Sequence, residues 1–424
     1  MRVLISNVYS YKNKGDAAIV ISLLREVRRA FPDAEILVQT ADAKHDEGKY
    51  GTPITSSLLW TLLSAVRERP LAERMRVAAS GLIGLHTYLG LYRQFGRAPL
   101  WLVPRRLHQF VRDNQQADLV IACGGGYLRT ASSGLRDKLL LHVTCLNFLA
   151  AKYLGKPVFL YSQSIGPVHG EWQRDKLRRT LDQVDLIEPR EDVSVRFLQE
   201  LQTSAKTVPT ADPALLLGDT GQFPEQHVRL RPDRLHVGLT VRKWFKTERE
   251  LDAYIRAVAQ TIDYLIAQHN AEVFYVPQVI AENFGDDDRL IARRVHDAVQ
   301  NKECFTVVDA DLHPFEVIGL CGRMDIFIGT RMHSNIFALI NHVPVVAIEY
   351  EHKTKGIMRG LGLEPLTVDI QGVTFDTLRQ KVDMVLADRD HYRSLIRQHL
   401  PDQITESRRA INVIKEAYEV PAAD

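Results

Sequence analysis

The sequence predicts an α/β protein made of two doubly wound, Rossmann-like domains. Three observations carry that expectation. Short apolar, β-branched runs alternate with amphipathic helical stretches along most of the chain, which implies parallel sheets covered by helices on both faces. The series breaks at GDTGQFPEQHVRLRPDRLH (218–236), a stretch rich in Gly, Pro and charge that reads as a linker. At 424 residues the chain also exceeds one core of ordinary size.

In the first half the predicted strands are VLISNV (3–8), EILVQT (35–40), DLVIACG (118–124), PVFLYSQ (157–163) and DLIEPR (185–190). Helical periodicity runs over Asp16–Ala30 and Leu135–Tyr153. In the second half the strands are HVGLTVR (236–242), AEVFYVPQ (271–278), CFTVVDA (304–310), DIFIGT (325–330) and PVVAIEYE (344–351), with helices over Leu251–His269 and Thr374–Leu386. The predicted organisation is a first domain over 1–217 with a helical insertion at about 55–115, a linker over 218–235 and a second domain over 236–386. A C-terminal helical segment (387–424) is placed to cross back onto the first domain. Two such domains facing a central cleft hold a ligand at the carboxyl ends of their strands, so the loops after strands are where chemistry belongs.

Composition excludes several classes. A net charge of +2, from 54 basic and 52 acidic residues, gives no electrostatic case for nucleic acid. Cys123, Cys145, Cys304 and Cys321 are scattered without a CxxC pair, against a zinc site or disulfide framework and in keeping with a reducing cytoplasm. MRVLISNVYSYKNKGD reads as a strand and polar loop without a signal-peptide apolar core. The stretch Arg76–Arg106 is interrupted by His86, Arg93 and Arg97, short of the ~18 continuous apolar residues a membrane span needs. It reads as a helical pair packing on its own domain. The alternative is a surface segment lying on a membrane, anchored by Trp101 and the Arg105–Arg106 pair.

Five post-strand loops stand out. In NVYSYKNKGDAAI (7–19), Asn13, Gly15 and Asp16 precede a helix; Asp16 is a candidate cap and Gly15 a point of close backbone approach. ACGGGYL (122–128) offers the amides of Gly124, Gly125 and Gly126 to an anion or a sugar hydroxyl. In YSQSIGPV (161–168), Ser162 and Gln163 are neutral hydrogen-bonding groups suited to a sugar, and a structural turn is an equal alternative. In IEPREDVSV, Arg190 either pairs with a neighbouring acid or points into the cleft as a fork for a carboxylate or phosphate. In GTRMHSNIFAL (329–339), Arg331 and His333 stand at a helix start, with Lys353 and Lys355 at the next strand end. This cation cluster with a proton-transfer group suits a small dianionic substrate. FGDDDR (284–289) reads as a solvated helix start, because successive helical positions do not converge on a metal.

NKGDAAI, the GGG loop, SQSIGP, PREDVS, DPALLL, GTRMHSNIFAL and VPVVAIEYEHKTKGIMRGLGL, in this order, resemble the polysaccharide pyruvyl transferase family, in particular its exopolysaccharide branch. The resemblance implies a GT-B-like fold, with the acceptor on the first domain and phosphoenolpyruvate on the second. It implies transfer of the pyruvyl group onto two sugar hydroxyls as a cyclic ketal, with release of phosphate. By that resemblance Arg190, Arg331 and Lys353, or Lys355 in its place, hold phosphoenolpyruvate, and His333 is the general acid. Asp16 and Glu351 are candidates for the base. Asn13, Gly15, Gly124, Gly125, Gly126, Ser162 and Gln163 fall on the acceptor side. Phosphoenolpyruvate is a co-substrate; neither cofactor nor metal is expected. A cytoplasmic protein at the inner face of the membrane, acting on a sugar or lipid-linked oligosaccharide, follows. The alternatives are a nucleotide-sugar glycosyltransferase or epimerase of the same fold, and a non-catalytic carbohydrate-binding component of polysaccharide assembly.

Overall fold

The computed structural model describes residues 1–64, 70–218, 220–282, 285–350 and 352–419. The chain divides into two compact units. The first comprises Met1–Tyr11, Ile19–Asp212 and the chain from Arg408 onward; the second comprises Lys12–Ala18 and Pro213–Ser407.

The first unit is built on six strands: β1 (Arg2–Val8), β2 (Glu35–Thr40), β3 (Ile54–Ser56), β4 (Leu119–Cys123), β5 (Val158–Gln163) and β6 (Leu186–Pro189). Their order is β3-β2-β1-β4-β5-β6, all parallel. The chain starts at the centre, winds to one edge, returns and winds to the other. That reversal creates a topological switch point between β1 and β4. The near-continuous apolar runs of β4 and β5 follow from burial on both faces.

The Leu135–Tyr153 helix reads apolar on nearly every side because it serves two cores. Leu141, Cys145, Phe148 and Leu149 pack toward the sheet. Val143, Leu146 and Ala150 pack against an insertion that includes the Leu71–Phe95 helix, whose Leu85, Tyr88 and Leu89 are buried there. The packing expected of the 76–106 stretch is therefore present, and it uses one face of the helix. Arg106 is turned inward, its Nη2 donating to the Val77 carbonyl at 2.6 Å, so Arg105 and Arg106 do not act as a pair. No helix of the described residues is long and apolar enough to cross a membrane.

Within β6, Glu188 is completely buried, and burial outweighs the Ser162 amide and the Arg409 charge to push its carboxyl well above the carboxylate range. The folded state then binds a proton that the unfolded chain releases above pH ~4.3. Stability is thus full below that pH and is lost as pH rises through the window, by up to about 1.4 kcal/mol per pH unit. Glu188→Gln should abolish that slope: thermal melts should match wild type near pH 4 and exceed it at pH 8.

The second unit repeats the winding with β7 (Leu235–Thr240), β8 (Ala271–Tyr275), β11 (Phe305–Val307), β12 (Ile326–Gly329), β13 (Val345–Glu349) and β14 (Thr367–Asp369). The parallel order is β11-β8-β7-β12-β13-β14, with its switch point between β7 and β12. A two-residue hairpin, β9 (Ile280–Ala281) with β10 (Asp286–Asp287), follows β8. The Lys12–Ala18 segment is joined to this region: Lys14 N donates to the Gln278 carbonyl at 2.8 Å and Ile280 N to that of Lys12 at 3.0 Å. The final Arg389–Glu419 helix is shared, its stretch through Ser407 counting with the second unit. Farther on, Tyr418 meets Phe31 of the first unit edge-on at 6.2 Å.

Candidate active site

The site is assembled at the switch point of the second unit. Thr240, the last residue of β7, fastens it to β12: its hydroxyl accepts from the Thr330 amide at 3.2 Å and bonds the Ser334 hydroxyl at 2.8 Å. From there the chain enters the Met332–Leu339 helix, with Arg331 at the N-cap position and no side-chain cap. The first-turn amides and the positive end of the helix dipole therefore lie at the carboxyl edge of the sheet.

Arg331 is buried and fixed by carboxylates. Its Nε donates to Asp288 Oδ1 at 3.1 Å; its Nη2 is bonded to the same oxygen and to Asp286 Oδ1 at 2.9 Å. Asp288 Oδ2 in turn accepts from the Gln278 and Val279 amides, each at 3.0 Å. Burial works against the guanidinium charge, but Asp288 and Asp286 outweigh it and hold Arg331 above the ordinary arginine range. The helix start expected at FGDDDR is present, with Asp287 as its cap, but it is not a solvated one, since Asp288 is buried against Arg331. Asp286 and Asp287 lie in an extended strand, where alternate side chains share a side. Asp286 and Asp288 thus converge on Arg331, whereas Asp287 turns to Arg289 at 2.7 Å.

His333 stands in the first turn of the helix, half-buried, against the Lys12–Ala18 segment. A Cβ built on Gly15 would lie 2.7 Å from His333 Cβ and closer still to ring atoms Cγ and Nδ1. The glycine of NKGD is therefore needed to seat this imidazole. Gly15→Ala should displace His333 and lower turnover about 10²-fold with little loss of folding, read from the rate of a variant whose circular dichroism is unchanged. The cap of the Lys14–Ala30 helix is Asn13, not Asp16 as expected. Asn13 Oδ1 accepts from the Gly15 and Asp16 amides at 3.1 and 3.3 Å, and its Nδ2 donates to Asp16 Oδ2 at 2.8 Å. Lys14, which sequence patterning passed over, is buried with its Nζ 2.5 Å from Asp311 Oδ1.

At the next strand end, Glu351 lies outside the described residues. Lys353 is placed by its backbone alone, in the first turn of the His352–Gly360 helix, its side chain lying outside the described residues. Lys355 is part-exposed with its Nζ 3.8 Å from Glu364 Oε1. A further cation was overlooked: Arg242, just past β7. Its Nη1 donates to the Tyr350 hydroxyl at 2.5 Å and its guanidinium lies 4.6 Å from that ring's centre. Among the described residues, Arg242 bonds the Tyr350 hydroxyl and no carboxylate. The signal was available, since an arginine directly after the first strand of a doubly wound unit falls at the switch point.

In the first unit, Gly124 passes so close to β1 that an added Cβ would sit 2.8 Å from the Asn7 carbonyl oxygen. Gly125 and Gly126 are half-buried beyond it. Arg190 is turned into the fold: Nε donates to Ser164 Oγ at 2.9 Å, Nη1 to Asp212 Oδ2 at 2.8 Å and Nη2 to the Gly125 carbonyl at 3.0 Å. Glu191 lies 3.3 Å away. The pairing alternative is thus the one the geometry realises, with Asp212 as an added partner. Ser162 and Gln163, expected to meet a sugar, are fully buried. Ser162 Oγ donates to the Ala211 carbonyl at 2.9 Å, and Gln163 Nε2 to those of Ala122 and Tyr161 at 3.0 Å. Both serve the sheet's end rather than its surface. Among the described residues no cluster of His, Cys, Asp and Glu is placed to hold a metal ion.

Comparison with known proteins places this geometry in context. The model of a family described as polysaccharide pyruvyl transferase matches residues 13–352. The amylovoran biosynthesis protein AmsJ of Erwinia amylovora is 26% identical over 419 residues, 94% of each chain. Among solved structures, S. aureus MnaA with UDP is similar at a TM-score of 0.60 and 12% identity, covering 98% of this chain and 96% of that one. UDP-GlcNAc 2-epimerase from Neisseria meningitidis gives 0.58 at 12% identity, covering 98% and 99%. A glycosyltransferase from Rickettsia africae gives 0.57 at 9%, covering 99% of each chain. At such identities the likeness is one of fold: the two Rossmann-like units form a GT-B-like architecture.

Proposed function

We propose, from the premise that the chain belongs to the polysaccharide pyruvyl transferase family, that it moves the pyruvyl group of phosphoenolpyruvate onto two hydroxyls of one sugar. The acceptor is an exopolysaccharide unit or its lipid-linked precursor, and the products are a cyclic ketal and phosphate. The protein then works in the cytoplasm, at the inner face of the membrane. The observation that carries the reading is the seating of His333 on Gly15 at the switch point beside Arg331.

His333 would protonate the methylene carbon of phosphoenolpyruvate, leaving an oxocarbenium-like centre at C2. One sugar hydroxyl adds at C2 and gives its proton to a base, for which Asp16 and Glu351 are the candidates. The C2–O bond to phosphate then breaks, and the second hydroxyl closes the ketal, its proton leaving with phosphate. The donor's charge would be met by Arg242, Lys353 and the helix-start amides. Arg331 contributes less, since Nε and Nη2 are already spent on carboxylates, and its Nη1 is the edge left to the donor. Arg190 would support the acceptor loop through Gly125. The half-buried Gly125 and Gly126 are the acceptor-side groups the geometry favours.

Two measurements test this. Phosphoenolpyruvate should raise the melting temperature, by the equivalent of about 2.7 kcal/mol at a hundredfold excess over Kd, and phosphate release should depend on adding a sugar diol. Arg242→Met should raise KM for phosphoenolpyruvate about 10- to 100-fold with kcat less affected. Stabilisation by nucleotide sugars without any response to phosphoenolpyruvate would instead assign the protein to glycosyl or epimerase chemistry.

A further inference from the structure

The face of the helical insertion that does not pack on the first unit has an unusual make-up. Met75 is 64% exposed, Ile83 67%, Phe95 61% and Trp101 78%. Met75 and Ile83 open on one side of the Leu71–Phe95 helix, and Phe95 and Trp101 open at its far end, so large apolar side chains are presented at two places along one segment. Ile83 lies one turn before His86, whose ring stacks on that of His142 at 5.0 Å. Leu139, one turn before His142, is 50% exposed. The apolar surface therefore continues from one helix to the next.

The charge is equally one-sided. Residues 70–112 contain seven arginines and a single acid, Glu73, a net +6. The whole chain is only +2, so the remainder is −4. Arg76, Arg93, Arg97 and Arg105 are exposed among the apolar groups. A second copy of the chain docking by the same face in a two-fold dimer would set the exposed Arg76, Arg93, Arg97 and Arg105 against like charges. An anionic bilayer meets both features at once, taking the aromatic and aliphatic side chains at its interface and the arginines at its headgroups.

We infer that the exposed face of the 71–101 insertion docks the protein onto an anionic membrane surface, lying on it without spanning it. This is independent of the donor chemistry, because it is read from lipid partitioning rather than turnover.

The test is co-sedimentation of the full chain with vesicles of phosphatidylcholine alone and of phosphatidylcholine with phosphatidylglycerol. Binding to the anionic vesicles is expected, with release at high salt. Arg76→Glu and Arg97→Glu should each lower partitioning at least about fivefold, and Trp101→Ser about tenfold. The vesicle-induced blue shift in tryptophan emission should shrink in Trp101→Phe. All three side chains are exposed, so melting temperatures should stay at the wild-type value. Failure to bind either vesicle, or binding untouched by these substitutions, overturns the inference. Vesicle-free dimerisation that the same substitutions abolish overturns it in favour of a second copy.

Discussion

Replacing His333 with asparagine should slow phosphoenolpyruvate-dependent phosphate release by about 10²–10⁴-fold, the range that a positioned general acid contributes. Asparagine retains a polar side chain of similar reach in the slot that Gly15 leaves open, so the melting temperature should hold. A group acting only in the transition state lowers kcat and kcat/KM together while KM for the donor stays near wild type. That separates His333 from Arg242, whose loss should appear mainly in KM. In D2O, deuterium should appear in the ketal methyl group during wild-type turnover, as protonation at the methylene carbon requires. A His333→Asn enzyme within tenfold of wild type would place the acid elsewhere.

Arg190→Ala should destabilise the protein by about 3–5 kcal/mol, because it strands Asp212 and Glu191, both buried beside it, without their counter-charge. Arg190→Lys should recover only part of this, since an ammonium cannot reach Ser164, Asp212 and Gly125 from one plane. Arg190→Met combined with Asp212→Asn should recover more, as removing both partners avoids the orphaned charge. Urea titration of the four proteins reads these differences directly. An Arg190→Ala variant that melts like wild type and loses only its response to phosphoenolpyruvate would return Arg190 to the donor site.

The fold was legible because its central strands are buried on both faces and so stand out as apolar runs between helices. Strands β3 and β14, of three residues each at the sheet edges, carry too little pattern to detect. The strand-end rule located Arg331 and His333, but it fixes only which edge a residue occupies, not its partner. Asp212 reaches Arg190 from 22 positions along the chain, a pairing that local spacing does not announce. Asp286 was misjudged because helical spacing was applied where the backbone is extended, and Asp288 because an acid opening a helix was taken as solvated although it is buried on Arg331. Nothing local indicates that Lys12–Ala18 belongs with the second unit, since the contacts that place it there lie more than two hundred residues away.

That excursion also bears on how the protein is made. The second unit needs Lys12–Ala18, and the first unit needs the chain from Arg408 onward, on the far side of the second unit in sequence. Neither is complete as a continuous piece of chain. The first unit therefore cannot finish folding from its own N-terminal residues before the second has been made. The two halves are thus coupled in folding, and an expression fragment of the second half cut at the linker would lack the glycine that seats His333.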